Sequence, residues 1–247
     1  MSERSLVHGL HAVRWLLKRH PERVRQLWLQ SGRDDGRGAE IQEMARSLGL
    51  SLQRADARTL DKMTGEAAHQ GVVAEIAAAR SWNEDELWSF LDRVTEPPLL
   101  LLLDGVQDPH NLGACLRTAD ACGVLAVVVP KDRAAGLTPT VRKVAAGAAE
   151  TVPLAIVTNL ARVMRTLKDR QVWIVGATAD AEKFVHEAQL QGPLAIAMGG
   201  EGEGLRRLTR DSCDYLVRLP MLGAVESLNV SVAAGMMLYE AVRQRSN

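Results

Sequence analysis

Asn111 and Arg117 stand in the stretch DGVQDPHNLGACLRTAD, residues 104–120, at the start of an expected helix built from small apolar residues. The five leucines just before it, Leu99–Leu103, predict a strand buried on both faces of a parallel sheet. Reactive groups in open α/β sheets sit on loops that leave the C-terminal ends of such strands. A second loop of this kind, AMGGEGEGLRRLT at 197–209, brings Gly199, Glu201 and Glu203 behind the strand LAIAM. Its glycines let backbone approach a ligand closely. It is not a dinucleotide loop. That fingerprint needs GxGxxG opening a helix in the first βαβ unit, with an acidic residue about 20 positions on. Here Gly200, Gly202 and Gly204 give GxGxG late in the chain, and two carboxylates within it would repel a pyrophosphate. The third loop, LPMLGAVESLNVSVAAGM at 219–236, sets Leu219 and Met221 at a strand end, then Glu226, Ser227, Leu228 and Asn229 before a helix of Val and Ala. Ser227 or Asn229 can cap that helix. Glu226 reads as a variable or structural position.

The elements that must carry these loops follow from hydrophobic pattern. From Leu99 onward, strands are expected at 99–103, 125–129, 152–156, 171–175, 194–198 and 215–219. Helices are expected at 111–122, 138–146, 159–169 and 227–243. Strands alternating with helices predict an α/β fold with a mostly parallel sheet covered on both faces. The first 77 residues form a smaller α/β unit. Helices are expected at 10–20, 39–48 and 57–63, with strands at 24–29, 50–53 and 71–77. Residues 78–98 collect Ser, Trp, acidic residues and a Pro-Pro pair, and read as a linker with a short helix near 84–92.

Composition narrows the class. With 247 residues, 47% apolar and 24% charged, the chain can bury a full core. No apolar run approaches the eighteen or so residues that span a membrane, and the N-terminus has no signal-peptide core. The three cysteines, Cys115, Cys122 and Cys213, form no CxxC pair and suit buried thiols in a reducing cytosol. The expected location is therefore the cytoplasm. Thirty basic and thirty acidic residues cancel, but unevenly: 1–80 holds 13 Lys+Arg against 10 Asp+Glu, and 81–98 holds 1 against 5. An RNA partner is compatible with such local basic patches, without being demanded by the total.

Taken together, N-x-G-x-x-x-R at 111–117, G-x-E-x-x-G at 199–204 and S-L-N-V-S-V-A at 227–233 resemble the three ordered motifs of the SPOUT methyltransferase superfamily, SpoU/TrmH branch. The resemblance covers the catalytic unit, 99–247. The first 77 residues, with HGLHAV near their start and HQGVVAEI at their end, resemble the substrate-binding domain that often precedes it, itself similar to ribosomal proteins that bind RNA kink-turns. Over the whole chain the likeness is to members that methylate a guanosine ribose 2′-hydroxyl in 23S ribosomal RNA. The resemblance implies a C-terminal trefoil knot, which strand counting would never propose because ordinary folds avoid knots. It also implies S-adenosylmethionine bound in the knot loops and a homodimer packed at the knot, with no metal and no membrane.

The resemblance further implies roles for residues. Gly199, Leu219, Met221 and Leu228 would hold the cofactor through backbone groups and apolar walls. Asn111, Arg117, Glu201, Ser227 and Asn229 would form the catalytic set. Family members are thought to use this arginine to remove the hydroxyl proton. Because arginine stays protonated in proteins, gripping the neighbouring phosphate and stabilising the developing alkoxide is the reading its chemistry favours. Glu201 is expected to fix the Arg117 plane through a bidentate fork. Asn111 is expected to cap its helix, with Gly113 and Ala114 leaving room for substrate. Lys131, Arg133, Arg142 and Lys143 are expected to contact RNA, as are Arg14, Lys18, Arg33, Arg37 and Arg58 in the first unit. Two other readings remain: the same chemistry on transfer RNA, and a non-catalytic RNA-binding assembly factor that keeps the fold.

Overall fold

The computed structural model describes residues 4–32 and 35–246, so Arg33 lies outside the described residues. The chain divides into two compact units between Ala79 and Arg80.

In the first unit the order is β1 (Arg4–His8), α1 (Leu10–Arg19), β2 (Val24–Gln30), α2 (Gly36–Ser47), β3 (Leu52–Ala55), α3 (Ala57–Thr64) and β4 (Val72–Ala77). The sheet runs β1-β4-β2-β3, antiparallel except for the β2–β3 pair. Asp35 and Asp56 cap α2 and α3 by accepting from Gly38 N and Thr59 N, at 2.8 and 2.7 Å. Leu16 and Leu17 of α1 pack on Leu27, Leu29, Val72, Ala74 and Ile76 of the sheet. β1 was not expected from the sequence. Its five residues hold little apolar pattern, and it exists through pairing with β4 some seventy residues later (Arg4 opposite Ala77).

The second unit carries α4 (Glu84–Leu91), β5 (Leu99–Asp104), α5 (Pro109–Ala121), β6 (Ala126–Pro130), α6 (Pro139–Ala145), α7 (Ala148–Thr151), β7 (Leu154–Val157) and α8 (Leu160–Asp169). It continues through β8 (Trp173–Ala177), β9 (Leu194–Gly199), α9 (Arg207–Ser212), β10 (Tyr215–Val217) and α10 (Val230–Arg245). Its sheet is parallel throughout, in the order β10-β8-β9-β5-β6-β7. Every residue of β5 is buried. Leu99, Leu101 and Leu103 join a core with α5 and α10, while Leu100 and Leu102 join one with α4 and α8. The leucine run is thus a strand with two buried faces. Chain order turns back between neighbours β5 and β9, the kind of place where such sheets bind ligands.

Residues 80–98, expected as a linker, are part of this second unit. Trp82 N donates to Leu154 O at 2.8 Å and Ile156 N donates to Trp82 O at 2.9 Å, so Trp82 extends the sheet beyond β7. Asn83 and Glu86 form a capping box on α4. Arg162–Glu84 and Arg170–Asp92 ion pairs, both 2.6 Å, join α4 to α8. A fragment beginning at Pro97 loses Leu87 and Phe90 from the core, whereas one beginning at Arg80 keeps them. The shorter fragment is expected to be less stable by about 3–6 kcal/mol. Urea unfolding of the two fragments measures it; equal midpoints would mean that α4 is an appendage.

Candidate active site

The loops after β5 and β9 and the start of α10 meet through side chains far apart in sequence. Asp108, not Asn111, caps α5, accepting from His110 N at 2.9 Å, with Pro109 in the first helical position. That leaves the Asn111 amide, buried to 7% exposure, for tertiary bonds. Its Nδ2 donates to Glu201 Oε1 at 2.6 Å, and its Oδ1 accepts from Asn229 Nδ2 at 2.9 Å. Asn229 Nδ2 also reaches Glu201 Oε1 at 3.1 Å. Asn229 caps α10 through Oδ1, which accepts from Ser231 N at 2.9 Å and Ser231 Oγ at 2.7 Å. So α10 begins at Val230, three residues later than expected. Each of the three loops contributes one member of this triangle.

The expected Arg117–Glu201 fork is not formed. Both amides converge on the Glu201 carboxylate instead. Arg117 lies on the exposed side of α5, six residues after Asn111, and makes no hydrogen bond or ion pair among the described residues. Its guanidinium is free to meet an external anion.

The glycines serve the backbone more than substrate entry. A Cβ at Gly113 would sit 2.7 Å from Val144 Cβ and 2.9 Å from Val141 O, so Gly113 is what lets α5 pack against α6. This replaces the expectation that it opens space for substrate. A Cβ at Gly199 would lie 2.0 Å from the Gly204 carbonyl carbon, and one at Gly200 would lie 2.3 Å from Gly105 O. The 199–205 loop therefore folds back on itself and against the loop after β5.

Asp104 holds that arrangement, a role its place in the sequence does not reveal. Its carbonyl accepts from Gly200 N at 2.8 Å. Its buried carboxylate accepts from Arg206 N at 3.0 Å and Arg206 Nε at 2.6 Å. Both ends of the Glu201 loop are thus tied to one residue of β5. Arg206→Ala would leave this buried carboxylate without its cation, holding only the backbone N–H of residue 206, a cost of about 3 kcal/mol. Arg207→Ala next to it, with a side chain 92% exposed, should change stability by less than about 0.5 kcal/mol. Denaturant titration of the two variants tests this contrast; equal midpoints would show that the Asp104 pair holds nothing.

Beneath the triangle lies a cavity of about 550 Å³ at the C-terminal ends of β8, β9 and β10. Gly199, Leu219, Met221 and Leu228 all line it, together with Glu201, Ser227 and Asn229. Ala177, Met198 and Val217 add apolar wall. Neither Asn111 nor Arg117 is among its lining residues. Ala177 to Ala179 were not anticipated, although the end of β8 is a strand terminus of the same kind as the others.

The basic residues divide. Lys131, Arg133 and Lys143 are exposed, Arg133 lying 3.7 Å from Glu203. Arg142 is bound at 2.5 Å to the buried carboxylate of Glu150, tying α6 to α7, so it is structural rather than a free RNA contact. In the first unit Lys18, Arg37 and Arg58 are exposed, and Arg14 pairs with Glu40 at 3.3 Å. His11, Arg14, Arg37 and Glu40 line a separate cavity of about 350 Å³ between α1 and α2. Burial pushes the Cys115 and Cys213 thiols up to about 12, which makes them inert.

The profile of the SpoU rRNA Methylase family matches residues 98–239. The chain belongs to this family. Residues 6–82 match the profile described as RNA 2′-O ribose methyltransferase substrate binding. The chain is 54% identical, over 100% of its length and 98% of the relative's, to the 23S rRNA (guanosine-2′-O-)-methyltransferase RlmB of Pseudomonas syringae pv. tomato. Among solved structures, the SpoU methyltransferase AviRb of Streptomyces viridochromogenes in complex with AdoMet is 27% identical, with a TM-score of 0.63, covering 98% of this chain and 90% of that one. The A. aeolicus TrmH/SpoU tRNA modifying enzyme is 30% identical, with a TM-score of 0.55, over 66% of this chain and 84% of its own.

Proposed function

We infer that the chain methylates a guanosine ribose 2′-hydroxyl in 23S ribosomal RNA, with S-adenosylmethionine as the methyl donor. The observation that carries this reading is the joining of three motif loops at one cavity by the Asn111–Glu201–Asn229 hydrogen bonds. The full-length likeness to a 23S guanosine enzyme supports the substrate. The likeness to the tRNA enzyme reaches only 66% of the chain, which weighs against the transfer-RNA reading. An intact motif set weighs against a non-catalytic assembly factor.

The cavity fits the donor. Met198, Val217 and Leu219 offer apolar wall for an adenine, and among the described residues the only ionisable ones lining the cavity are Glu201 and Glu226. Two carboxylates without a cation tolerate a sulfonium and oppose a phosphate ligand. When bound, the donor supplies a methyl group on a positively charged sulfur. Gly199, Leu219, Met221 and Leu228 hold and orient it. Asn111, Glu201 and Asn229 lock the loops so that the acceptor is held in line. Ser227, at the cavity wall, offers a hydroxyl for a ribose or phosphate oxygen. Arg117 grips the phosphate beside the target and stabilises the developing alkoxide while the proton leaves to water.

The unit at 1–77 serves as the RNA-holding domain, a role that the match of residues 6–82 to the substrate-binding profile supports; a resemblance to ribosomal proteins that bind RNA kink-turns belongs to the same reading. Lys131, Arg133 and Lys143 extend the RNA contact on the catalytic unit, 99–247. The trefoil knot belongs to this reading, as does a homodimer through the knot. An uncovered apolar row on α10, Val232, Met236 and Tyr239, with Leu222 and Val225 before it, supports such an interface. No described helix is long and apolar enough to cross a membrane, and a ribosomal substrate accords with action in the cytoplasm. Incubation with labelled S-adenosylmethionine and, in parallel, unmodified 23S ribosomal RNA and unmodified transfer RNA, with the mark mapped by primer extension, tests the function. The expected result is one 2′-O-methylguanosine; label in transfer RNA alone would replace the substrate.

A further inference from the structure

The two carboxylates of the cavity differ in their surroundings. Glu201 Oε1 is occupied by the Asn111 and Asn229 amides. Glu226, read from sequence as a variable or structural position, lines the same cavity three residues before Asn229. It is exposed and makes no hydrogen bond or ion pair among the described residues. Among the described residues, no Lys, Arg or His lines the cavity to neutralise it. The structure thus keeps an uncompensated negative charge at the site, and packing does not explain it.

The reaction changes one charge at that site. The S–CH₃ bond breaks with its electron pair staying on sulfur, the O–CH₃ bond forms, and the hydroxyl proton passes to solvent. The sulfonium becomes a neutral thioether. S-adenosylmethionine and S-adenosylhomocysteine share the adenine, the ribose and the amino-acid end, and differ in one methyl group and one positive charge. Resting on the reading of this cavity as the cofactor site, we propose that Glu226 is a specificity-determining residue that makes the cavity prefer the cationic donor over its neutral product. The charge that helps draw the donor in ceases to hold the product once transfer is complete. Because Glu226 faces water, its field is screened, and the preference it adds is a few-fold rather than orders of magnitude.

Calorimetric titration of the full chain with S-adenosylmethionine and with S-adenosylhomocysteine tests this, using the unmodified chain, Glu226→Gln and Glu226→Lys. The ratio of product Kd to donor Kd should fall about three- to fivefold in the Gln variant and further in the Lys variant. Added salt should narrow the ratio more in the unmodified chain than in the Gln variant, where only Glu201 remains. Melting temperatures should stay together, since the side chain is exposed and makes no hydrogen bond or ion pair among the described residues. Equal weakening of both ligands would overturn the proposal, because Glu226 would then hold the amino-acid end they share. An unchanged ratio with unchanged affinities would also overturn it. Failure of the unmodified chain to bind either ligand would overturn the cofactor reading itself, and the proposal with it.

Discussion

Arg117→Ala should reduce methyl transfer at least about a hundredfold, the scale expected for losing one group that stabilises a developing oxyanion. Donor affinity should stay within about threefold, because Arg117 is not among the cavity's lining residues and cation–phosphate contact is not part of holding the donor. Stability should hardly move, since the side chain is exposed and makes no bond within the chain. Arg117→Lys should not restore turnover. An ammonium is a compact point charge and cannot present two parallel N–H groups to a phosphate. This separation of catalysis from binding and folding sets Arg117 apart from Asn111, Glu201 and Asn229. Removing any of those three leaves a partner amide or carboxylate unsatisfied. Single-turnover rates and calorimetric affinities for the two Arg117 variants measure the effect. Near-normal turnover in the lysine variant would remove the planar-fork role, and a large loss of donor affinity in the alanine variant would move Arg117 into the cofactor site.

The sheet was legible because burial on two faces leaves a continuous apolar strand. Leu99–Leu103, Val127–Val129 and Leu194–Met198 all lie where their runs place them. Elements that depend on distant partners were not legible. β1 is made by β4; the short helix near 84–92 is legible and stands at Glu84–Leu91, but its docking on the second unit, where Arg162 meets Glu84 and Arg170 meets Asp92, is not. The site divides in the same way. The Asn and Glu residues of the three motifs were found, and their meeting agrees with the resemblance. Which of them pair was missed, since a spacing of 90 or 118 residues carries no geometry. The expected Arg117–Glu201 fork was chemically reasonable, but the amides are nearer. Asp104 and Arg206 are 102 residues apart, and a separation of that size carries no geometry either. Gly113 was assigned to substrate because a sequence does not reveal that another helix already fills the space beside it.

The central claim is that the accepting atom is a ribose 2′-oxygen. The measurement that tests it most directly is methyl transfer to a substrate RNA carrying a single 2′-deoxyguanosine at the modified position. Arg117 and Asn229 suit a ribose-phosphate and cannot take a proton, and the Glu201 carboxylate already accepts from the Asn111 and Asn229 amides. The deoxy substrate keeps every phosphate, so it should bind only modestly more weakly and with the same salt dependence. It should accept no methyl group under conditions where the all-ribose RNA is fully modified. Binding without transfer is the predicted result. Transfer to the deoxy substrate at the normal rate would place the methyl group on the base and contradict the account.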